Sequence, residues 1–429
     1  MQPTKHAAIL LLLLCTALPN TGCVFPVQTS ARTQLDLDAG RIEVELPAQF
    51  NEAWIIGDVT INGYGPFPFV LDTGAGATVI DQATAEASGL NTTGTAEVTD
   101  LAGITTEYPI ARADEIRTGP LGFGPTSIVV TDDVERLFGH LGAVGLLGYP
   151  AFAGYTLDLD YPARIVRIST QRLSQNEPGA VPMRRIMNNT PEVRLAIASA
   201  GGVETPVWIG VDSGGEFFLD LAEHHAKVWL ETDLSMVRGR SFTLSGKQGK
   251  ERIAPLRGDL VVAGNRLEHT TATIGHEDSL IGNSLMRNFR VRIDPESRIA
   301  TFTSPSKPTL SRPAWIGLGA RSIIDGEIVV FSLYKETPAY QAGIRPGTTI
   351  IAIDGSPPHP GDLAYTWSRE LPNEITLTVR ASDGFTSDVT LQPTFLFPDI
   401  IENAAPLEIE QVPVLDVPEI SAPKENPRL

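Results

Sequence analysis

The sequence predicts a mostly β protein that consists of two related halves and a smaller α+β unit. Three observations predict this architecture. Apolar and charged residues alternate from about residue 41, at the period of a half-buried strand. The 429 residues include 39 glycines and 33 prolines but only 7% aromatics, which suits turn-rich strands better than a helical bundle. One set of motifs also occurs twice in the same order, which indicates an internal duplication.

The start of the first half has the pattern of a hairpin followed by a helix. Two apolar runs flank the dipeptide Asn62-Gly63, which favours a tight two-residue hairpin turn. Gly89 is a typical helix stop after residues 82–88. We therefore expect a β-hairpin that ends near residue 71 and a short helix over 82–88.

The charge and the cysteine content disfavour several classes of function. The chain has 33 Lys and Arg against 51 Asp and Glu, a formal net charge of −18, so it lacks the positive charge on which nucleic-acid binding depends. Its two cysteines, Cys15 and Cys23, lie near the N-terminus and exclude a disulfide scaffold or a cysteine-based zinc site. The seven histidines show no HExxH spacing. We expect neither a metal nor another cofactor.

The first 22 residues are typical of a signal peptide. Lys5 and His6 precede an apolar run over 7–15, which has the length of a signal core and is too short to span a bilayer. The Thr-Gly-Cys tripeptide that ends at Cys23 resembles the end of a bacterial lipobox. We expect an exported, periplasmic protein that is tethered to a membrane by a lipid on Cys23, with ordinary signal cleavage nearby as the alternative.

Three repeated motifs define the halves, which we place at residues 41–170 and 180–304, after a tether over 23–40. In each half an Asp-(Thr/Ser)-Gly turn follows an apolar strand, and two apolar residues and a glycine come later, before an alternating strand pair. The copies are residues 69–74, 146–148 and 155–166 in the first half and 208–214, 280–282 and 289–300 in the second. The shared order and nearly equal spacing indicate a duplication.

Each copy of the first motif places an aspartate at the end of a buried strand. The glycine allows a tight turn whose backbone N–H groups can point at the carboxylate, and the Thr or Ser hydroxyl can bond across to the other turn. Alone, such an aspartate is usually a turn or capping residue. Two turns that meet across a pseudo-twofold axis would bring Asp72 and Asp212 together, so that they share a proton. One carboxylate could then activate a water while the other polarises a carbonyl group.

These motifs resemble the aspartic protease superfamily. Residues 72–79 are most similar to the retropepsin-like branch, and two such lobes in one chain are similar to the pepsin arrangement. The resemblance implies a bilobal β fold, hydrolysis of peptide bonds by an activated water, and hairpin flaps, whose tips we expect near 100–103 and 244–247. It implies that Asp72 and Asp212 are catalytic. The residues that it implies as supports of the two turns are Thr73, Gly74 and Gly148 in the first half and Ser213, Gly214 and Gly282 in the second.

The third unit, residues 314–393, resembles a bacterial PDZ domain. The resemblance rests on an ordered series of motifs at 315–319, 337–347 and 350–355. It implies a groove that captures the C-terminus of another chain, with a helix near 362–369 as one wall. The residues implied at the carboxylate-binding loop are Gly317, Leu318 and Gly319. The alternative is that this unit packs on the halves as a lid or a spacer.

The acidic, proline-rich tail over 394–429 is expected to be extended or disordered.

Two functions from different classes are consistent with these patterns. The first is an exported aspartic endopeptidase that cleaves proteins or peptides, with the PDZ unit for substrate or partner C-termini. The second is a non-catalytic peptide-binding scaffold that retained the fold. Both Asp-(Thr/Ser)-Gly turns are intact, which favours the first. A serine hydrolase is disfavoured because no Gly-x-Ser-x-Gly motif occurs, and a Rossmann fold because the βαβ pattern is missing.

Overall fold

A computed structural model describes most of the chain between residues 32 and 395. The described residues are 32–37, 42–51, 54–185, 190–199, 201–230, 234–237, 244, 252–268, 270–306, 308, 314–318, 321–324, 327–358 and 373–395. The expected signal peptide, Cys23, Gly319, the helix near 362–369 and the tail beyond residue 395 lie outside them. Within the described ranges, no helix has both the length and the hydropathy needed to cross a membrane.

The described part of the first half contains fourteen strands. They are β1 (Arg32–Leu35), β2 (Glu43–Glu45), β3 (Ala48–Asn51), β4 (Trp54–Ile61), β5 (Tyr64–Asp72), β6 (Val79–Ile80), β7 (Thr92–Thr99), β8 (Thr105–Ala113), β9 (Ile116–Thr118), β10 (Leu121–Gly124), β11 (Thr126–Val130), β12 (Gly145–Gly148), β13 (Thr156–Asp160) and β14 (Ile165–Ser169). The helices are α1 (Gln82–Ala87) and α2 (Asp133–Phe138), with 3-10 turns at Gly139–Leu141 and Tyr149–Phe152. One sheet runs in the order β1-β10-β9-β4-β5-β12-β6-β11-β8-β7, with β3 beside β4.

The second half repeats this strand-rich organisation. Its described strands are β15 (Ala180–Arg185), β16 (Pro191–Ser199), β17 (Glu204–Val211), β18 (Leu219–Asp220), β19 (Leu234–Val237), β20 (Arg252–Pro255), β21 (Gly258–Val262), β22 (Asn265–Leu267), β23 (Thr271–Ile274), β24 (Leu280–Ile281), β25 (Arg290–Asp294) and β26 (Ile299–Thr303). The helices are α3 (Glu223–Trp229) and α4 (Asn283–Met286). The molecule is therefore mostly β, as the sequence predicts.

The third unit has a sheet and an apolar core of its own. Its described strands are β27 (Ala314–Trp315), β28 (Arg321–Ile324), β29 (Glu327–Val330), β30 (Leu333–Tyr334), β31 (Thr349–Ile353), β32 (Ile375–Arg380), β33 (Thr386–Leu391) and β34 (Thr394–Phe395), with helix α5 at Pro338–Gln341. Strands β28, β29, β31, β32 and β33 form one sheet, and β27 pairs with β34. Ile328, Val330 and Leu333 are fully buried in its core.

A second large sheet connects the three units. It runs in the order β2-β14-β13-β25-β26-β15-β16-β17-β24-β18-β23-β20-β19-β30, with β21 and β22 beside β16. The hairpins β13–β14 and β25–β26 are copies of one motif, and β13 pairs with β25 in antiparallel orientation. Arg164 and Arg298, at matching places in the two hairpin turns, have φ angles of 58° and 56°. The two copies thus meet each other across the junction of the halves.

Strand β30 of the third unit extends this sheet at its other end. Met236 of β19 pairs with Tyr334, and Val237 with Leu333, in antiparallel orientation. The third unit therefore joins the second half by backbone pairing, and not only through the segment that connects them in sequence.

The hairpin and the helix expected at the start of the first half are confirmed. Asn62 and Gly63 have φ angles of 50° and 84°, the positive values of a two-residue turn between β4 and β5. Helix α1 begins after Asp81, whose carboxylate accepts a hydrogen bond from the backbone N–H of Thr84. Both elements are determined by local turn and capping chemistry.

The structure differs from the expected tether and from the expected start of the tail. Residues 32–35, inside the predicted tether, form β1 and pair with β10, and Leu35 packs against the main core. Residues 394–395 pair with β27, so the tail begins at least two residues later than expected. Each strand depends on a partner far away in the sequence, and composition alone does not show such a partner.

Candidate active site

Two strand ends bring Asp72 and Asp212 to the same place. Asp72 ends β5, and Asp212 follows β17 directly. In both halves the strand pairs in parallel with a second strand, β12 or β24, which leads to the repeated glycine. Asp72 is 8% exposed and Asp212 is 3% exposed, so both carboxyl groups are buried.

The two turns hold each other through a reciprocal set of hydrogen bonds. The hydroxyl of Thr73 donates to the carbonyl oxygen of Val211 at 2.6 Å, and that of Ser213 donates to the carbonyl oxygen of Leu71 at 2.7 Å. Each hydroxyl oxygen also accepts the backbone N–H of the other residue, at 2.9 and 3.0 Å. The expected bonding of each hydroxyl to the opposite turn is confirmed. Because both hydroxyls are fully buried, these bonds fix the relative position of the turns.

Backbone N–H groups orient each carboxylate. Asp72 Oδ1 accepts the N–H of Gly74 at 2.8 Å and that of Ala75 at 3.0 Å. Asp212 Oδ1 accepts the N–H of Gly214 at 2.8 Å. The turns bring the two carboxyl groups together, because Gly74 lies against the carboxyl group of Asp212 and Gly214 lies against that of Asp72.

The turn glycines allow this close approach. A Cβ on Gly74 would lie 2.5 Å from Cγ of Asp212, and a Cβ on Gly214 would lie 2.2 Å from Cγ of Asp72. Real Cβ atoms essentially never come so close to another heavy atom, so any larger residue would displace the opposite carboxyl group.

The two repeated glycines, Gly148 and Gly282, lie directly beneath the turns. A Cβ on Gly148 would lie 2.4 Å from the carbonyl oxygen of Ala77, and a Cβ on Gly282 would lie 2.3 Å from that of Phe217. These contacts are with backbone atoms, which cannot move aside as a flexible side chain can. Both glycines therefore support the turns by close packing.

The electrostatics of the pair favour one shared proton. Burial raises the pKa of Asp72 well above its ordinary value, and the charge of Asp212 raises it further. Burial also raises the pKa of Asp212, although the N–H of Gly214, the adjacent carboxyl group of Asp72 and the charge of His276 act in the opposite direction. Two negative charges on neighbouring buried carboxyl groups repel each other. The two aspartates can therefore hold one proton between them, so that one is an acid and the other a base.

A hydrogen-bond chain that no sequence motif predicts lies beneath the second turn. The hydroxyl of Tyr161 donates to Asn283 Oδ1 at 2.5 Å, and Asn283 Nδ2 donates to the carbonyl oxygen of Ser213 at 2.7 Å. Burial, and then the charge of Asp212, raise the pKa of Tyr161, so this hydroxyl remains a donor. The signal for Asn283 in the sequence is its position directly after the repeated Gly282. Tyr161 belongs to the first half, and only the packing of the halves reveals its contact.

The first expected flap tip is a hairpin turn that reaches the second half. Residues 100–104 connect β7 to β8, and Asp100 Oδ1 accepts the N–H groups of Ala102 and Ile104, each at 3.0 Å. The N–H of Glu277 donates to the carbonyl oxygen of Leu101 at 3.2 Å. Of the second expected tip only Leu244 is described, and its carbonyl oxygen accepts a hydrogen bond from the hydroxyl of Tyr108 at 3.0 Å.

The expected PDZ residues that the structure describes lie in the third unit. Gly317 has a φ of +94°, and its carbonyl oxygen accepts the N–H of Tyr334 at 2.9 Å. Leu318 is buried and forms an isolated bridge with Leu333. These residues therefore contact β30, the strand that pairs with the second half.

No metal site is found in the described part of the chain, where no cluster of three or more His, Cys, Asp or Glu side chains could hold an ion.

Comparison with known proteins identifies one region of the chain. Residues 57–151 match a family model that is described as aspartyl protease. This range contains Asp72 and extends just past Gly148. A search of curated proteins gave no match. Residues 57–151 are therefore similar to aspartyl proteases of the retropepsin-like kind, and this similarity supports a protease-type function, a hydrolase in general terms.

Proposed function

We propose that the chain is an exported aspartic endopeptidase, which hydrolyses peptide bonds through a water activated by Asp72 and Asp212. The observation that carries the proposal is the reciprocal bonding of the two turns, which brings two buried carboxyl groups together. A non-catalytic scaffold has no need for two intact, mutually oriented carboxyl groups. The protease-type family match over the first half agrees with the proposal.

The proposed reaction uses both protonation states of the pair. The ionised carboxylate takes a proton from water while the water oxygen attacks the carbonyl carbon, and the protonated carboxyl group gives its proton to the carbonyl oxygen. The tetrahedral intermediate returns one hydroxyl proton to the pair. The C–N bond then breaks and the amine nitrogen takes a proton from the pair. The products are a carboxylic acid and an amine, and one shared proton remains.

The direct test is cleavage of unstructured protein by the full chain. Purified protein is incubated with casein or with a peptide library, and the products are identified by mass spectrometry. New carboxyl and amino termini within the peptides are expected. Intact peptides after incubation with protein whose fold has been verified by circular dichroism would contradict the proposal.

We expect cleavage to extend toward neutral pH. Burial raises the pKa of both Asp72 and Asp212, and Ala75 has no hydroxyl that could donate to the first carboxylate. Loss of the shared proton defines the high-pH limb of kcat/KM, so raised pKa values move this limb upward. Ala75→Ser adds a donor that stabilises the charged form, and it should lower the high-pH limb by ~0.5–1 pH unit.

A kcat/KM profile on a peptide without ionisable groups near the scissile bond measures this effect. Ala75→Val is the control, because it adds volume at the same position without a donor. The explanation is wrong if Ala75→Ser leaves the high-pH limb in place, or if the native protein works only in strong acid.

The third unit is proposed to be a PDZ-like domain that binds the C-termini of substrates or partners. The support is the ordered series of motifs at 315–319, 337–347 and 350–355, and the carboxylate-binding residues would be Gly317, Leu318 and Gly319. Export and lipid attachment at Cys23 are also part of the proposal, on the evidence of the N-terminal sequence.

Removal of residues 314–429 should leave the two halves folded but weaken cleavage. Among the residues that the structure describes, the main core contains none from the third unit, so the core should form without that unit. Strand β19, however, would lose its pairing with β30 and expose an edge. Because β19 precedes the expected second flap, we predict that kcat/KM for short peptides falls by ~2–10-fold. Thermal unfolding and peptide kinetics check both statements, and either a molten truncated protein or an unchanged kcat/KM would contradict the prediction.

A further inference from the structure

The second half buries a carboxylate where the first half has an aliphatic side chain. Asp220 of β18 pairs with Leu280, just as Val79 of β6 pairs with Leu146. The side chain of Asp220 is fully buried, and Val79 lies in an apolar cluster. Burial of a carboxylate costs free energy unless the charge is compensated, and the first half shows that valine fits this place in the fold. A role beyond packing is therefore expected for Asp220.

The partner of Asp220 is a histidine on the loop between β23 and β24. His276 Nδ1 lies 2.6 Å from Asp220 Oδ2, and the hydroxyl of Thr273 donates to the same oxygen at 2.8 Å. Among the described residues, Asp220 Oδ1 has no hydrogen-bond partner. Protonation of His276 at Nε2 would give an imidazolium paired with this carboxylate, which is the state that best compensates the buried charge.

His276 lies next to the turn that carries Asp212. Its ring centroid is 6.3 Å from that of Phe217. The Phe217 ring in turn packs against Gly215, where a Cβ would lie 2.2 Å from the ring. One aromatic ring, that of Phe217, therefore separates His276 from the Asp212 turn. The charges of His276 and Asp220 can act on Asp212 through this buried region, where the dielectric constant is low.

The charges around Asp212 have opposite effects. The charge of His276 lowers the pKa of Asp212, and that of Asp220 raises it. For Asp72, burial and the charge of Asp212 raise the pKa, and the N–H groups of Gly74 and Ala75 lower it. His276 shares its loop with Glu277 and Asp278, and the charges that act on Asp278 are those of Glu192 on β16, Glu277, His224 on α3 and His276 itself.

We propose that His276, held by the buried Asp220, is a positioning residue that keeps Asp212 as the ionised base and leaves the shared proton on Asp72. This inference rests on the proposed function, because it assigns the two roles within the same pair. A positive charge on the Asp212 side stabilises a negative charge there, whereas Asp72 remains the acid that donates to the carbonyl oxygen.

The loop of His276 also holds the first expected flap. Glu277, the next residue, donates its N–H to the carbonyl oxygen of Leu101. A Cβ on Gly103 in the flap turn would lie 2.3 Å from Glu277 Oε1, so the turn packs closely on the loop. The same loop thus connects the charge that acts on Asp212 with the hairpin turn of the first half.

Carbon-13 NMR of labelled aspartate carboxyl groups measures the titration of the pair without requiring substrate. The signals are assigned with Asp72→Asn and Asp212→Asn. In His276→Gln, the transition of Asp212 should move to higher pH by ~0.5–1 unit, because the stabilising cation is lost. Asp220→Val, which introduces the residue of the first half, should move the Asp212 transition in the same direction but less far, because it removes the support of the imidazolium and also the opposing charge of Asp220. His276→Lys, which keeps a cation, should restore part of the native behaviour.

His225→Gln is the matched control. His225 is in the same half, and its Nδ1 lies 2.7 Å from Ser279 Oγ. Burial and His224 lower its pKa to about 4, so its replacement removes no charge near neutral pH. The inference is overturned if the Asp212 transition stays in place in His276→Gln. It is also overturned if this transition moves as far in His225→Gln as in His276→Gln.

Peptide kinetics separate this inference from the proposed function. In His276→Gln, the low-pH limb of kcat/KM should move upward while KM at the optimum changes little. Activity that survives both asparagine substitutions defeats the proposed function. If those variants lose activity, but His276→Gln changes neither the low-pH limb of kcat/KM nor the NMR transition of Asp212, only the role of His276 is contradicted.

Discussion

Substitution of Asp72 or Asp212 by asparagine should lower kcat for peptide cleavage by ~10³-fold or more. Base and acid form one coupled unit, so the loss of either carboxyl group removes both functions. The fold should persist, because the amide oxygen of asparagine can still accept the N–H groups that bond to each aspartate. Initial rates with a fluorogenic peptide measure the effect.

The same substitutions should also change how the stability of the protein depends on pH. The pKa of each aspartate is raised in the folded state, so the folded protein binds the proton more tightly than the unfolded chain does. The native protein therefore loses stability as pH rises from the unfolded pKa through the folded one, and this loss is complete above the folded pKa. Asp72→Asn and Asp212→Asn should show less of this loss, and a Tm at neutral pH at least as high as that of the native protein.

Asp58→Asn is the control for both measurements, since Asp58 is an exposed residue of β4. It should change neither kcat nor Tm by much. If Asp212→Asn keeps most of the activity, the dyad within one chain is wrong, and the first half would have to act through a second copy of itself.

Substitution of Gly214 by alanine should lower kcat by ~10²-fold, because a shift of about 1 Å in a reacting group is enough for such a loss. The added Cβ would lie 2.2 Å from Cγ of Asp72, so the carboxyl group must move. Gly214 does not have a positive φ, and alanine therefore adds no backbone strain of the left-handed kind. The expected effect is displacement of the acid within a folded protein.

Gly94→Ala is the matched control for this variant. A Cβ on Gly94 would meet no atom within 4 Å, and Gly94 also lies in a strand with an ordinary φ. We expect native kinetics for Gly94→Ala and near-native circular dichroism for both variants. Retention of most activity by Gly214→Ala would show that Asp72 does not act from the position that it has beside this turn.

The sequence by itself determined the elements whose chemistry is local. The Asn62-Gly63 turn, the short helix that starts after Asp81 and the two Asp-(Thr/Ser)-Gly turns each depend on residues within a few positions of one another. The duplication also predicts one contact between distant segments, because two equivalent turns in one chain are expected to meet across a pseudo-twofold axis. For this reason the sequence alone predicts the pairing of Thr73 with Ser213.

Only the tertiary structure decided the contacts between segments that no local pattern relates. Strand β1 lies in a stretch that has the composition of a tether, and it becomes a strand because β10 offers an unpaired edge. The pairing of β19 with β30 likewise depends on how the third unit packs. Tyr161 reaches Asn283, and Asp220 reaches His276, from positions distant in sequence. Each of these bonds forms because packing buries a polar group that must then find a partner, and a sequence pattern shows neither the burial nor the partner.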